Sequence, residues 1–294
     1  MAIHPHVLQN DQVLPATDKM MSPGQLGLLA GWGVFSTLRV QDGVLFEYAR
    51  HWARMERDAQ RMHVPFTQDP AAVHGWLMQL VEANHAQNAT LRVVVIRNSG
   101  GLWEGPSPTG QPSDVMALTA DLKSWGATAT LMTQPQARHA ANEFAGAKIL
   151  SWAQNLTWAE RAQQAGFSEM LLLNERGEVA ECTSANVFVV EGDRVSTPPL
   201  SAGCLAGITR QVLLEDIRIP GIDIRERVLF PADLRNADDV FITSTTRDLL
   251  SISRIDGHEL ISRGNVRERL AEAFLTYRQE YVRTFSSQAL SALY

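Results

Sequence analysis

The chain has 294 residues, 45% of them hydrophobic and 20% charged, with a formal net charge of −6; this is the composition of a globular protein with room for two domains or one large one. No basic block is present, which argues against a nucleic-acid partner, and no run of about 18 apolar residues offers a membrane span. Cys182 and Cys204 stand in no metal-ligand spacing, and the N-terminus lacks a basic stretch leading into an apolar one, so a reducing, cytoplasmic setting is expected.

In chain order, a glycine turn at 31–33 leads into a strand through Val40, and Gln41-Asp42-Gly43 predicts a turn before 44–46, which makes an antiparallel pair. Residues 47–62 place Trp52, Met55 and Ala59 at helical spacing among arginines, an amphipathic helix. A second helix is expected over 70–84, then a strand over 91–97, a glycine-rich loop over 98–110 and a strand over 115–121. Small and polar residues follow, with a weak strand at 129–133. The second half predicts a helix over 152–165, strands at 169–173 and 178–181, a hairpin of 186–190 with 194–197, a helix over 208–217, a buried strand over 240–243 and a terminal helix over 263–282. The domains expected are 1–121, a linker over 122–134, and 135–294.

Lysine is scarce: Lys19, Lys123 and Lys148 stand against 26 basic residues in all. Lys148 lies among small and apolar neighbours in AGAKILSWAQN (145–155), where an ammonium loses hydration and becomes a better nucleophile. Four separated elements bear on it: Arg54 on the first helix, the stretch from Glu181 to Asn186, the helix opening Gly207-Ile208-Thr209-Arg210, and Thr243-Ser244-Thr245-Thr246 after a strand. A helix start can bind a phosphate through its unpaired N–H groups, though each element alone also has an ordinary structural reading.

In this order the elements resemble the class IV (fold type IV) pyridoxal-phosphate enzymes, a family that contains branched-chain and D-amino-acid aminotransferases, (R)-selective amine transaminases and aminodeoxychorismate lyase. The resemblance rests on GVFSTLRVQDGVLF with HWARMERDAQRM, the Lys148 segment, GFSEMLLLNERGEVAECTSANVFVV, TPPLSAGCLAGITR and ADDVFITSTTRDLLSISRIDG. It implies a two-domain α/β (α+β) fold with pyridoxal 5′-phosphate between the domains, and a homodimer. It also implies roles. Lys148 would bind the cofactor covalently and shuttle the substrate proton, and Glu181 would keep the pyridine nitrogen protonated. Arg54, Ile208, Thr209 and Thr245 would hold the phosphate. Arg97 matches a position where some members keep an arginine for a substrate carboxylate, and it reads equally well as a strand-end arginine.

The chain also departs from the family pattern. Trp32 stands where many members have an acid, Thr37 where branched-chain enzymes usually have glycine, and no tyrosine follows Lys148 until Tyr277, while Trp152 does. Trp32 and Thr37 are therefore taken as candidate substrate-pocket residues. The function expected is ping-pong transfer of an amino group from an amino acid or amine to a 2-oxo acid, branched-chain-like. Elimination of pyruvate from aminodeoxychorismate is the alternative, followed by a non-catalytic cofactor binder and a phosphate module on the glycine-rich loop.

Overall fold

A computed structural model describes residues 2–22, 24–100 and 109–291 of the chain. The glycine-rich loop expected at 98–110 therefore falls largely outside the described residues. The chain divides into two compact units: Met1–Lys123 with Lys148–Trp152 and Glu280–Tyr294, and Ser124–Ala147 with Ala153–Gln279.

In the first unit, β1 (Ile3–Gln9), β2 (Gln12–Pro15), α1 (Leu26–Leu29), β3 (Gly33–Gln41), β4 (Val44–Leu45), α2 (Tyr48–Arg61), α3 (Pro70–Ala83), β5 (Ala89–Arg97) and β6 (Ser113–Asp121) follow in order. The strands form one antiparallel sheet in the order β2-β1-β6-β5-β3-β4. The turn between β3 and β4 uses Asp42 and Gly43, both at positive φ (49° and 77°), as a tight hairpin requires. α3 begins where Asp69 accepts the N–H of Ala72 and Pro70 fills the first helical position. Trp52, Met55 and Ala59 of α2 and Val73, Leu77 and Leu80 of α3 pack on the sheet face of Leu8, Val34, Leu38 and Leu91. The helical spacing seen in the sequence is the spacing of this buried stripe.

In the second unit come β7 (Thr128–Arg138), α4 (Ala153–Gln164), β8 (Glu169–Asn174), β9 (Val179–Cys182), β10 (Asn186–Glu191), β11 (Arg194–Thr197), α5 (Ile208–Glu215), β12 (Asp223–Glu226), α6 (Pro231–Asn236), β13 (Asp239–Ser244), β14 (Asp248–Ile255), β15 (His258–Glu259) and α7 (Val266–Ser291). Their mixed sheet runs β12-β11-β10-β13-β14-β7-β8-β9, with β15 on β14. β7 and β8 are parallel and joined through α4, and β11 and β12 are parallel and joined through α5, the crossovers that parallel neighbours need.

Two expectations are corrected. Residues 128–134, expected within a linker, belong to β7, which is hydrogen-bonded to β14 on one side and β8 on the other. Its polar look comes from an irregularity after Gln134, where the register to β8 shifts and Gln136 sits at φ 51°. Residues 148–152 and those from 280 onward group with the first unit. The reason for the former is the backbone pairing described below; for the latter, Tyr281 meets Phe46 edge-on with centroids 5.2 Å apart, a separation that aromatic pairs favour. Among the described residues no helix is long and apolar enough to cross a membrane.

The second unit's sheet carries a stacked pair, Phe188 on β10 opposite Phe241 on β13, with ring centroids 5.0 Å apart at 6° and neither ring exposed. Phe241→Ala is expected to cost about 3–5 kcal/mol of unfolding free energy, read from urea unfolding.

Candidate active site

The lysine segment is built onto a free edge. β4 pairs only with the far end of β3, at Val40 and Gln41, so the Gly33–Phe35 end is open, and Val34 forms an antiparallel bridge with Ile149 there. Phe35 N–H donates to the Lys148 carbonyl at 3.1 Å and Leu150 N–H to the Gly33 carbonyl at 2.9 Å. A Cβ on Gly33 would lie 2.4 Å from the Val95 carbonyl oxygen and 2.6 Å from Leu150, so glycine is needed for this approach. On its other side the Lys148 N–H donates to Asp58 Oδ2 at 3.0 Å. Lys148 Nζ then lies 4.4 Å from the centroid of Phe35 and 5.8 Å from that of Trp152, and the two rings meet edge-on.

The Phe35 ring has a second cationic neighbour, Arg92, whose Cζ is 4.9 Å from its centroid. Arg92 Nε donates to Thr37 Oγ1 at 3.4 Å. Trp32 and Arg97 form a separate stack at 4.1 Å. Trp32 Nε1 donates to the Met62 carbonyl at 2.7 Å, while Arg97 donates from Nε to the Ser99 carbonyl at 2.6 Å and from Nη1 to the His63 carbonyl at 2.8 Å.

His51, Arg54 and Asp58 occupy one buried face of α2, at the i, i+3, i+7 spacing that a helix aligns. Arg54 Nη2 donates to Ser36 Oγ at 2.8 Å and approaches His51 Nδ1 at 3.4 Å, and Ser36 Oγ is 2.7 Å from the same Nδ1. A guanidinium only donates. Nδ1 is therefore the acceptor, the Ser36 hydroxyl donates its hydrogen bond to it, and the ring proton sits on Nε2. Burial first, then the charges of Arg54 and Lys148, hold the imidazole well below its ordinary value of 6.5. Burial also pulls Arg54 down to about 10, opposed by Asp58.

In the second unit, the buried Glu181 carboxylate is gripped at both oxygens. Arg138 Nε donates to Oε1 at 3.0 Å and Leu205 N–H to Oε2 at 3.0 Å. Arg138 also reaches Asn155 Oδ1 at 3.1 Å, and Asn155 donates to the Thr183 carbonyl at 2.7 Å. Two residues after Leu205, Gly207 opens α5 without a side-chain cap. A Cβ there would lie 2.0 Å from Asn186 Oδ1. Ile208 and Thr209 follow, both buried, with first-turn amides that have no helical acceptor. Thr245 sits in the turn between β13 and β14. Two residues on, Arg247 stacks on Trp125 at 3.7 Å and donates to the Ser184 carbonyl at 3.0 Å and to Glu169 Oε2 at 3.1 Å. Cys182 and Cys204 are buried; burial and then carboxylate charge push both thiols up, Cys204 to about 12, so neither suits nucleophilic work.

Within the first unit, Lys148 and Thr37 are connected through the Phe35 ring and Arg92, Arg54 stands on the same helix as Asp58, which holds the Lys148 N–H, and Trp32 and Arg97 form their own pair. Within the second, Glu181 is linked to the start of α5 through Leu205. The sequence reading missed Asp58, Ser36, His51, Arg92, Arg138 and Arg247. The HxxR pairing of His51 and Arg54 was a visible signal for one of them; the others are contacts across long sequence separations.

The fold is a two-unit α/β architecture in which a lysine segment is held on an open sheet edge. A model of the family described as amino-transferase class IV matches residues 33–255, and the chain belongs to that family. The putative branched-chain-amino-acid aminotransferase of Methanocaldococcus jannaschii is 27% identical over 92% of this chain and 96% of its own length. The D-alanine aminotransferase of Bacillus licheniformis is 27% identical over 86% and 89%. The crystal structure of the Escherichia coli branched-chain amino acid aminotransferase superposes with a TM-score of 0.85 at 23% identity, covering 94% of this chain and 95% of that one, which establishes fold type IV. The family's cofactor is pyridoxal 5′-phosphate, and solved structures of this fold hold it or its pyridoxamine form.

The His51 tautomer has a pH consequence. Its folded pKa lies below the unfolded one, so the unfolded chain binds the extra proton and stability falls as pH drops below about 6.5. This group's share approaches about 1.4 kcal/mol per pH unit. His51→Gln keeps an acceptor for Ser36 and Arg54 and is expected to flatten the decline, measured by urea unfolding from neutral to mildly acid pH.

Proposed function

We propose that this class IV aminotransferase moves an amino group from a branched-chain-like amino acid to a 2-oxo acid, with Lys148 as its catalytic lysine. The observation that carries the assignment is the backbone pairing of Lys148 with β3, which holds its amine against Phe35 and Trp152. Other details support the cofactor residues. Arg54 is a buried guanidinium on a rigid helix, α5 starts without a cap beside a glycine, and Glu181 is a buried carboxylate held from two sides. An amine, a guanidinium, an uncapped helix start and a carboxylate are the groups that a phosphorylated pyridine aldehyde requires.

When bound, pyridoxal 5′-phosphate supplies an electron-withdrawing ring that stabilises the charge left as the substrate Cα loses its proton. Lys148 Nζ would hold the cofactor and would be the base for the substrate Cα proton. Glu181 would accept the pyridinium N–H; Arg138 and the Leu205 amide keep its carboxylate oriented. Arg54, the amides of Ile208 and Thr209, and Thr245 would hold the phosphate. Arg92, on the same ring as Lys148, joins Arg97 as a candidate for the substrate carboxylate. Phe35, Trp152, Trp32 and Thr37 shape the pocket, and the aromatic faces suit an apolar side chain. A cytoplasmic homodimer is the assembly that this reading carries.

Lys148→Ala is expected to abolish borohydride trapping of the cofactor and to lower turnover by at least about 100-fold; undiminished turnover would sink the assignment. Glu181→Gln should retain the cofactor but slow the first half-reaction, seen as slower bleaching of the yellow holoenzyme in single-turnover mixing. The same measurement, run with L-leucine, L-valine and D-alanine beside an aminodeoxychorismate assay for released pyruvate, tests the substrate. Fastest bleaching by the L-branched donors supports it, while pyruvate release without bleaching would move the enzyme to the lyases.

A further inference from the structure

The bridge between Val34 and Ile149 uses the carbonyl of Lys148 and leaves its N–H on the opposite edge of the segment. That N–H is taken by Asp58 Oδ2 at 3.0 Å, across 90 residues of sequence. Asp58 is 1% exposed. Its other oxygen, Oδ1, accepts from Arg57 Nε at 3.1 Å and Nη2 at 2.8 Å, an interaction that fixes the carboxylate's rotation. The helix that carries Asp58 also carries Arg54, four residues earlier, or about 6 Å along the axis.

We propose that Asp58 is a positioning residue for the catalytic lysine. The Lys148 stem has four rotatable carbons, so where Nζ can reach depends on where the backbone is anchored and how it is turned. β3 fixes one edge of that backbone and Asp58 fixes the other. Because Asp58 and Arg54 share one rigid helix, the anchor of the amine and the guanidinium assigned to the phosphate keep a constant separation. The inference rests on the reading of Lys148 as the cofactor lysine and goes beyond it, since no cofactor atom is needed to define the role.

The test compares the parent, Asp58→Ala and Asp58→Asn as cofactor-loaded enzymes. The readouts are borohydride trapping at Lys148, the visible circular-dichroism band of the bound cofactor, and kcat and KM for the amino donor. Asp58→Ala is expected to weaken or reshape the dichroism band and lower kcat about 10- to 100-fold, with KM moving much less. Asp58→Asn, whose amide oxygen accepts the same N–H, is expected to restore most of both. An unchanged band and kcat in Asp58→Ala would overturn the proposal, as would an Asn variant as impaired as the Ala one. Amide hydrogen exchange at Lys148 in the unmutated protein is immune to folding defects in the variants: slow exchange is expected, and fast exchange overturns the proposal. A parent that shows no trapping at Lys148 overturns the functional reading and this inference together, whereas trapping in the parent with an unchanged Ala variant overturns this inference alone.

Discussion

The lysine segment depends on one constraint: its backbone has to be immobilised from both edges without a regular strand to hold it. The open end of β3 supplies one edge, and Gly33 makes the approach possible by having no side chain. Asp58 supplies the other edge. A helix alone could not hold the segment, because its backbone groups are already paired, and a sheet alone would leave the lysine N–H unmade. Together they leave a flexible amine on a rigid base, set against the faces of Phe35 and Trp152.

The second unit meets a related requirement with charge. A buried carboxylate is costly unless its lone pairs are satisfied, and Glu181 satisfies its own with Arg138 and a backbone amide. The contacts continue outward: Asn155 ties Arg138 to Thr183, and Arg247 ties the turn bearing Thr245 to Ser184. Residues 181–186 are thereby braced from α4, from the segment before α5 and from the β13–β14 turn. Such bracing costs side-chain freedom and yields an acid whose orientation does not depend on bound ligand.

Much of the fold was legible where burial follows a simple period. α2, α3, β5 and the β10–β11 hairpin lie within a residue or two of their expected ranges, because their apolar residues repeat at helical or strand spacing. β1, β2, β12 and β14 were not assigned. β1 places histidines and a proline in its IHPHVLQ, and β14 mixes serines with its apolar residues, so neither shows the clean alternation of a half-buried strand. β7 was read as a weak strand in a linker because its irregular end is polar. For the candidate site, Lys148, Glu181, Arg54 and Thr209 stand out in the sequence through ordered local patterns. Asp58 and Arg138 do not: their contacts with Lys148 and Glu181 span 90 and 43 residues, and in the sequence each is one more charge on an amphipathic element. Arg97 was legible as a strand-end arginine, but its bonds to the carbonyls of Ser99 and His63 depend on the chain folding back on itself.

The alignment of His51, Arg54 and Asp58 on α2 bears on how this chain can vary. Each residue added to a helix rotates everything beyond it by about 100°. An insertion or deletion between His51 and Asp58 would therefore swing either the guanidinium or the lysine's anchor away from the sheet, even if composition and apolar content were kept. Point changes on the exposed side of this helix are far milder, since they leave its phase intact. Relatives that diverge here are therefore expected to differ by substitution and to keep the helix's length between these two positions.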